Sequence, residues 1–251
     1  MGALGIDQHT SRRYNAELER LRSQVMAMGG LVEQQMDHAL AALADHDIDR
    51  GERVGREDYR VNAMEVGIDE QCAHILARRQ PTASDLRLVV TVIKTITDLE
   101  RIGDEAKKVG AMAAAIAQSG DQAARMEASR LDDMGSSVKQ LVHEALDAFA
   151  RMDPDAALAT VRNDSRVDAY HQKVQRRLID RMVGEPGCID AMLSVCWAAR
   201  SLERMGDHAK NIAEYVVYLV YGKDIRHTHP EAVTRELPRR EPAASPDPAR
   251  H

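Results

Sequence analysis

Glu100 and Asp104 stand four residues apart, as do Glu203 and Asp207. On a helix that spacing puts both carboxylates on one face, one turn apart. Like charges placed this way repel, so each pair wants a cation. Asp58 with Asn62, and Asp164 with Asp168, repeat the same spacing on other segments. Clustered oxygen-bearing side chains are ligands for hard or borderline cations such as magnesium, manganese, iron or zinc. The competing reading is a solvated face, with the acids paired to the neighbouring Arg60, Arg101, Arg166 and Arg204.

The chain contains itself twice, which favours the metal reading. Shifted by 106, Met28-Gly29 falls on Met134-Gly135, and the Asp58, Arg60, Val61 and Ala63 run falls on Asp164, Arg166, Val167 and Ala169. Fifteen of the thirty-six positions from 28 to 63 are identical at that offset. A shift of 103 then lays Leu99-Glu100-Arg101-Ile102-Gly103-Asp104 on Leu202-Glu203-Arg204-Met205-Gly206-Asp207, followed by Ala106-Lys107 on Ala209-Lys210. Each half is a helical unit, and the whole is a pseudo-twofold duplication.

The elements that must position these residues are helices. Leu18, Leu21, Val25, Met28, Val32 and Met36 form a stripe at helical spacing that runs on through Ala39, Leu40 and Leu43. Leu86, Val89, Val90, Ile93, Ile96, Leu99 and Ile102 form another. Turn chemistry at Asp45–Asp47, Gln80–Thr82, Ser119–Asp121, Asp153–Asp155 and Gly184–Gly187 separates helices expected near 12–44, 49–79, 83–118, 123–151, 155–183 and 188–221. Helices this long on short turns pack as antiparallel bundles. The expected fold is all-α: two tandem, pseudo-symmetric three-helix bundles at 12–120 and 121–222, then a disordered, proline-rich tail at 223–251. His227 and His229 lie in that tail and are expected to be solvated. Hairpin arithmetic brings the acidic pairs together. The centres of 58–62 and 100–104 are equidistant from Pro81, and those of 164–168 and 203–207 from the Glu185-Pro186 turn. In an antiparallel hairpin, such residues lie at the same height.

Composition narrows the function. With 34 basic and 40 acidic side chains, a net charge of −6 argues against nucleic acid as the main partner. Aromatic content of 3% argues against a β-sandwich or barrel. No apolar run is long enough to insert in a membrane or serve as a secretory signal, and Cys72, Cys188 and Cys196 form no CxxC pair. The expectation is a reduced, soluble, cytoplasmic protein. Asp45-x-Asp47-x-Asp49 begins like a calcium loop but has Arg50 and Arg56 where the loop needs Gly and Glu, so it reads as a helix–helix turn with an N-cap. A metal-dependent hydrolase or oxidase is the rival function. Against it, no histidine has a Glu three residues before it, and Asp168-x-x-His171 is only a near approach. The basic tip Arg78-Arg79-Gln80-Pro81 has no copy at Gly184-Glu185-Pro186.

The doubled Leu-Glu-Arg-(Ile/Met)-Gly-Asp, the paired Asp58 and Asp164 motifs, and Arg79-Gln80-Pro81 followed by Asp85-Leu86-Arg87 resemble the PhoU family of bacterial phosphate-signalling proteins over residues 12–222. The resemblance implies two symmetry-related three-helix bundles whose acidic motifs bind metal, iron or zinc foremost and in some members as multinuclear clusters. It implies Glu100, Asp104 and Asp58 as ligands in the first half, with Asn62 bringing no charge where the second half has Asp168. Glu203, Asp207, Asp164 and Asp168 would be the ligands of the second half. It further implies a cytoplasmic negative regulator of the phosphate-starvation response, plausible as a homodimer. Such a regulator links the ATPase subunit of the phosphate ABC transporter to the sensor histidine kinase.

Overall fold

A computed structural model describes residues 6–226 and residue 228. Among them are eight α-helices and one 3-10 turn, with no strand. The first half comprises α1 (Ile6–Asp45), α2 (Ile48–Glu57), α3 (Tyr59–Arg79) and α4 (Ala83–Ser119). The second comprises α5 (Gln122–Ser129), α6 (Asp132–Arg151), α7 (Pro154–Gly184) and α8 (Ile189–Tyr221), with the 3-10 turn Pro186–Cys188 before α8. The fold is all-α, two tandem three-helix bundles, as the apolar periodicity requires.

Two of the six expected segments are interrupted. The stretch at 49–79 divides into α2 and α3 at Asp58, and that at 123–151 divides into α5 and α6 across Arg130 and Leu131. Both breaks have the same cause. The Val61 amide donates to the Asp58 carbonyl at 3.0 Å and the Leu131 amide to the Ala128 carbonyl at 3.0 Å, three-residue bonds that tighten the turn. Turns elsewhere follow the expected chemistry. Asp47 caps α2, accepting from the Arg50 amide at 3.0 Å, and Asp153 caps α7 ahead of Pro154.

The first apolar stripe is core: Leu21, Val25, Met28, Val32 and Met36 are at most 1% exposed. In the second, Val89, Ile96, Leu99 and Ile102 are buried, but Leu86 at the hairpin tip is 41% exposed. The two bundles meet through α1 against α6 and α4 against α8. Gly29 leaves room for Leu146, and Gly135, its equivalent 106 residues on, leaves room for Leu40. A methyl group added at either glycine would overlap that leucine at 2.8 Å or less. Reciprocal contacts of this sort are what a twofold axis produces. At the α4–α8 seam, His208 Nδ1 lies 2.7 Å from Asp98 Oδ1, both buried, and Arg204 pairs with the buried Glu105 at 3.1 Å.

At the end of α8, Gly222 takes the left-handed conformation that closes the helix, and Ile225 returns to the core at 2% exposure. The tail expected over 223–251 thus begins packed; its residues 227 and 229–251, His227 and His229 among them, lie outside the described residues.

Candidate metal centre

In the first half, Asp58 at the α2–α3 junction and Asn62 and Glu65 on α3 stand at i, i+4 and i+7, facing Glu100 and Asp104 on α4. Asp58 is buried and well satisfied. Gln35 Nε2 donates to its Oδ1 at 3.3 Å, while Lys107 Nζ and Asn62 Nδ2 donate to its Oδ2 at 3.2 and 3.5 Å. Lys107 also lies 3.7 Å from Asp104 Oδ1. Burial raises the Glu100 carboxyl above its ordinary range, and the charges of Asp104, Glu65 and Asp58 push it further against the opposing Arg101. Glu65 is raised as well, by burial and then by Asp69.

The second half repeats this plan with different members. On α7 stand Asp164, Asp168 and His171, facing Glu203 and Asp207 on α8. Lys210 Nζ donates to the buried Asp164 Oδ2 at 2.8 Å, as Lys107 does to Asp58. Burial, then Glu203, Asp164 and Asp168, hold the Asp207 carboxyl high, with Lys210 opposing. Asp168 is raised by burial and by Asp164. Glu203 is raised by burial while Arg200, 2.5 Å from its Oε1, works the other way. His171 titrates below its usual range, chiefly through burial and then through Arg200. Gly103 and Gly206 let the helices close here: a Cβ on either would lie 3.7 or 3.6 Å from the Asp58 or Asp164 carboxylate, and on Gly103 2.9 Å from Gln35 Oε1.

The eight sequence-predicted residues are therefore brought together as two sets of four. Of the four arginines in the competing reading, none among the described residues forms an ion pair with these acids, although the charge of Arg101 opposes the rise of Glu100. Arg204 turns to Glu105, and the repeated Lys107 and Lys210, with Arg200, hold the acids instead. Both lysines stand three residues past the second acid of each helical pair, a repeat visible in the sequence and not used there. Glu65 was not singled out in the sequence and His171 appeared there only in Asp168-x-x-His171, although each continues its helical face by one turn.

Each set suits a cation by its donor chemistry. Asn62 Oδ1, Gln35 Oε1, Glu203 Oε2 and His171 Nε2 are buried without a hydrogen-bond partner, so acceptors remain to be satisfied in both halves. The acids with raised carboxyls are those a metal ion would stabilise in charged form. With the side chains as they stand, no three His, Cys, Asp or Glu groups among the described residues converge on one point tightly enough to hold an ion.

Comparison with known proteins gives the chain its family. A family model described as the PhoU domain matches twice, at residues 25–113 and 131–216. The chain belongs to the PhoU family. A phosphate-specific transport system accessory protein PhoU homolog of Pseudomonas aeruginosa is 48% identical over 222 residues, covering 88% of this chain and 91% of that protein. The Escherichia coli accessory protein PhoU is 45% identical over 227 residues, 90% and 93% of the two chains. The crystal structure of PhoU from Pseudomonas aeruginosa superposes with a TM-score of 0.79 over 84% of this chain and all of that one. The phosphate transport system regulatory protein PhoU from Streptococcus pneumoniae, 27% identical, reaches 0.76 over 84% and 98%. The two PhoU matches each contain one acidic set, and no helix among the described residues is long and apolar enough to cross a membrane.

Proposed function

We propose that this PhoU-family protein is a metal-binding, cytoplasmic negative regulator of phosphate uptake and phosphate-starvation signalling, acting by binding rather than by turnover. The two facing sets of carboxylates carry the reading. Asp58, Asn62, Glu65, Glu100 and Asp104 would hold the ion of the first half. Asp164, Asp168, His171, Glu203 and Asp207 would hold that of the second. The all-oxygen first set suits manganese, magnesium or iron, whereas the imidazole of His171 favours iron or zinc in the second. Bound there, a cation would neutralise the carboxylates and hold each helical hairpin together. Lys107 and Lys210, which donate to Asp58 and Asp164, would give way to it.

The adaptor part of the reading places the protein between the ATPase subunit of the phosphate ABC transporter and the sensor histidine kinase, as a homodimer. It is supported by an apolar surface at one end of the second hairpin. Val183 on α7 is 76% exposed and Trp197 on α8 is 63% exposed, and Ile179, Ile189 and Leu193 are exposed with them. Exposed apolar clusters with polar rims mark surfaces that another protein covers.

The deciding experiment is elemental analysis of protein purified without chelator or affinity tag, beside Glu100→Ala/Asp104→Ala and Glu203→Ala/Asp207→Ala. Metal that is lost half by half establishes the centres. A metal-free wild type, unaltered in stability by added iron, zinc or manganese, would remove them. Persistent phosphate repression in cells carrying Trp197→Asp with Leu193→Asp would remove the docking surface.

A further inference from the structure

At the tip of the first hairpin, α1 and α3 enclose a cleft of about 320 Å³. Arg13, Glu17 and Arg20 line it from α1 at i, i+4 and i+7, and Arg78 and Arg79 close it from α3 beside His74. The cleft holds four guanidinium groups and one carboxylate, on a chain whose net charge is −6. That carboxylate is taken. Arg79 binds Glu17 through two hydrogen bonds, at 3.1 and 2.8 Å, and holds it below the ordinary carboxylate range, with Arg13 and Arg78 adding to the effect. Arg20 and Arg78 are exposed and have no ion-pair partner among the described residues. Ile75, buried, gives the cleft an apolar floor.

The duplication did not make this site twice. The positions 106 residues beyond Glu17, Arg20, His74, Arg78 and Arg79 hold Ala123, Met126, Asp180, Gly184 and Glu185, which cannot attract an anion. At the second tip Arg130 and Arg177 bind Glu127 and Arg181 lies by Glu185, so the cluster of cations around Glu17 is not copied position by position. It exceeds what Glu17 needs, and it sits in a concavity of the size that binds small molecules.

We propose that this cleft binds a phosphate-bearing small molecule, its phosphoryl dianion lying between Arg20 and Arg78 and its uncharged body over Ile75 and His74. Guanidinium forks match the oxygens of a phosphoryl group in pairs, which a lysine-lined surface does not. The Arg79–Glu17 pair fixes the wall against which Arg78 works. A free phosphate ion would use the same two arginines but would leave most of the cleft to water.

The test is calorimetric titration of the full chain, in chelator-treated buffer, with adenosine monophosphate, inorganic phosphate and sulfate in separate arms. Saturable binding of adenosine monophosphate is expected, with inorganic phosphate weaker. Arg20→Ala and Arg78→Ala should each weaken it about tenfold. Both side chains are exposed, so circular dichroism of the variants should be unchanged. Glu203→Gln with Asp207→Asn should leave binding intact, which separates this cleft from the metal centres. Inorganic phosphate binding as tightly as the nucleotide would keep the phosphoryl site and make the free anion its occupant. The proposal is overturned by no saturable binding up to about 10 mM, by equal affinity for sulfate, or by binding that the arginine variants leave unchanged. Tight binding of a glutamate-rich peptide in place of all three probes would also overturn it.

Discussion

The two halves share a backbone plan but have filled it differently, and the differences gather at the acidic sets. At equivalent positions the first half has Gln35, Asn62 and Glu65 where the second has Leu141, Asp168 and His171. What both keep is an aspartate held by a lysine, two acids on the last helix, and a glycine that leaves room beside the aspartate. Duplication has therefore preserved charge and space while exchanging individual donors. In the second half, Asp168, Glu203 and Asp207 all have raised carboxyls, so its self-repulsion is spread over more groups. In the first, a neutral amide replaces one acid and Gln35 reaches in from α1 to share Asp58. Glu65 and Glu100 are raised in the first set as well, so the halves differ in degree, with three raised carboxyls in the second against two in the first.

The largest test of this comparison concerns packing. Gly51 on α2 and Gly110 on α4 bring two backbones together, and a Cβ on Gly51 would meet the Gly110 carbonyl oxygen at 2.4 Å. The second half holds Ala157 and Ala213 at the matching places, both fully buried. Gly51→Ala with Gly110→Ala should cost about 1–3 kcal/mol, because backbone must move and the gain in helix propensity is smaller. Chemical denaturation measures it. A neutral or stabilising result would show that the first bundle can adopt the wider spacing of the second.

Next in size is metal content. Glu203→Ala with Asp207→Ala should empty the second half, and Glu100→Ala with Asp104→Ala the first, each with helicity largely intact by circular dichroism. The exchanges Asn62→Asp and Asp168→Asn sharpen the contrast. The first should tighten its half for divalent ions, the second should weaken its own, each by roughly tenfold, since ligand charge sets affinity for hard cations. If both halves respond alike to the same change, the difference between amide and carboxylate does not govern them.

Much of this was legible before any coordinates. Apolar stripes give helices, turn residues give their ends, and two offsets in the sequence give the duplication. Equal distances from Pro81 and from the Glu185-Pro186 turn then place the acids opposite one another. What could not be read was local. Nothing in the residues around Asp58 or Leu131 announces a three-residue bond that breaks a helix, because helical and 3-10 geometry share the same residue preferences. Gln35 reaches Asp58 from a separate helix, and only the crossing of α1 over α3 brings it there. The choice of Lys107 and Lys210 over the arginines depends on side-chain reach from a buried aspartate. Spacing alone made Arg60 and Arg166 equal candidates.

The smallest expected effect is a pH dependence that separates the halves. In metal-free protein the Asp168, Glu203 and Asp207 carboxyls titrate above their unfolded values, so the folded state keeps protons that the unfolded chain has released. Their contribution to stability is full below the unfolded carboxylate pKa of about 4 and is lost as pH rises through the raised values. Unfolding midpoints in chelator should therefore climb modestly as pH falls from neutral towards that range. Asp207→Asn should flatten the climb by removing one of the titrating groups, and Asp168→Asn by also removing a charge that raises Glu203 and Asp207. Asn62→Asp should steepen it by giving the first half a fifth carboxylate beside Asp58, Glu65, Glu100 and Asp104. Saturating metal should abolish the dependence in wild type, because protons and the cation compete for the same oxygens. A pH profile that the three substitutions leave unchanged would mean that the acids are screened by their lysines and arginines, and that the second half carries no more repulsion than the first.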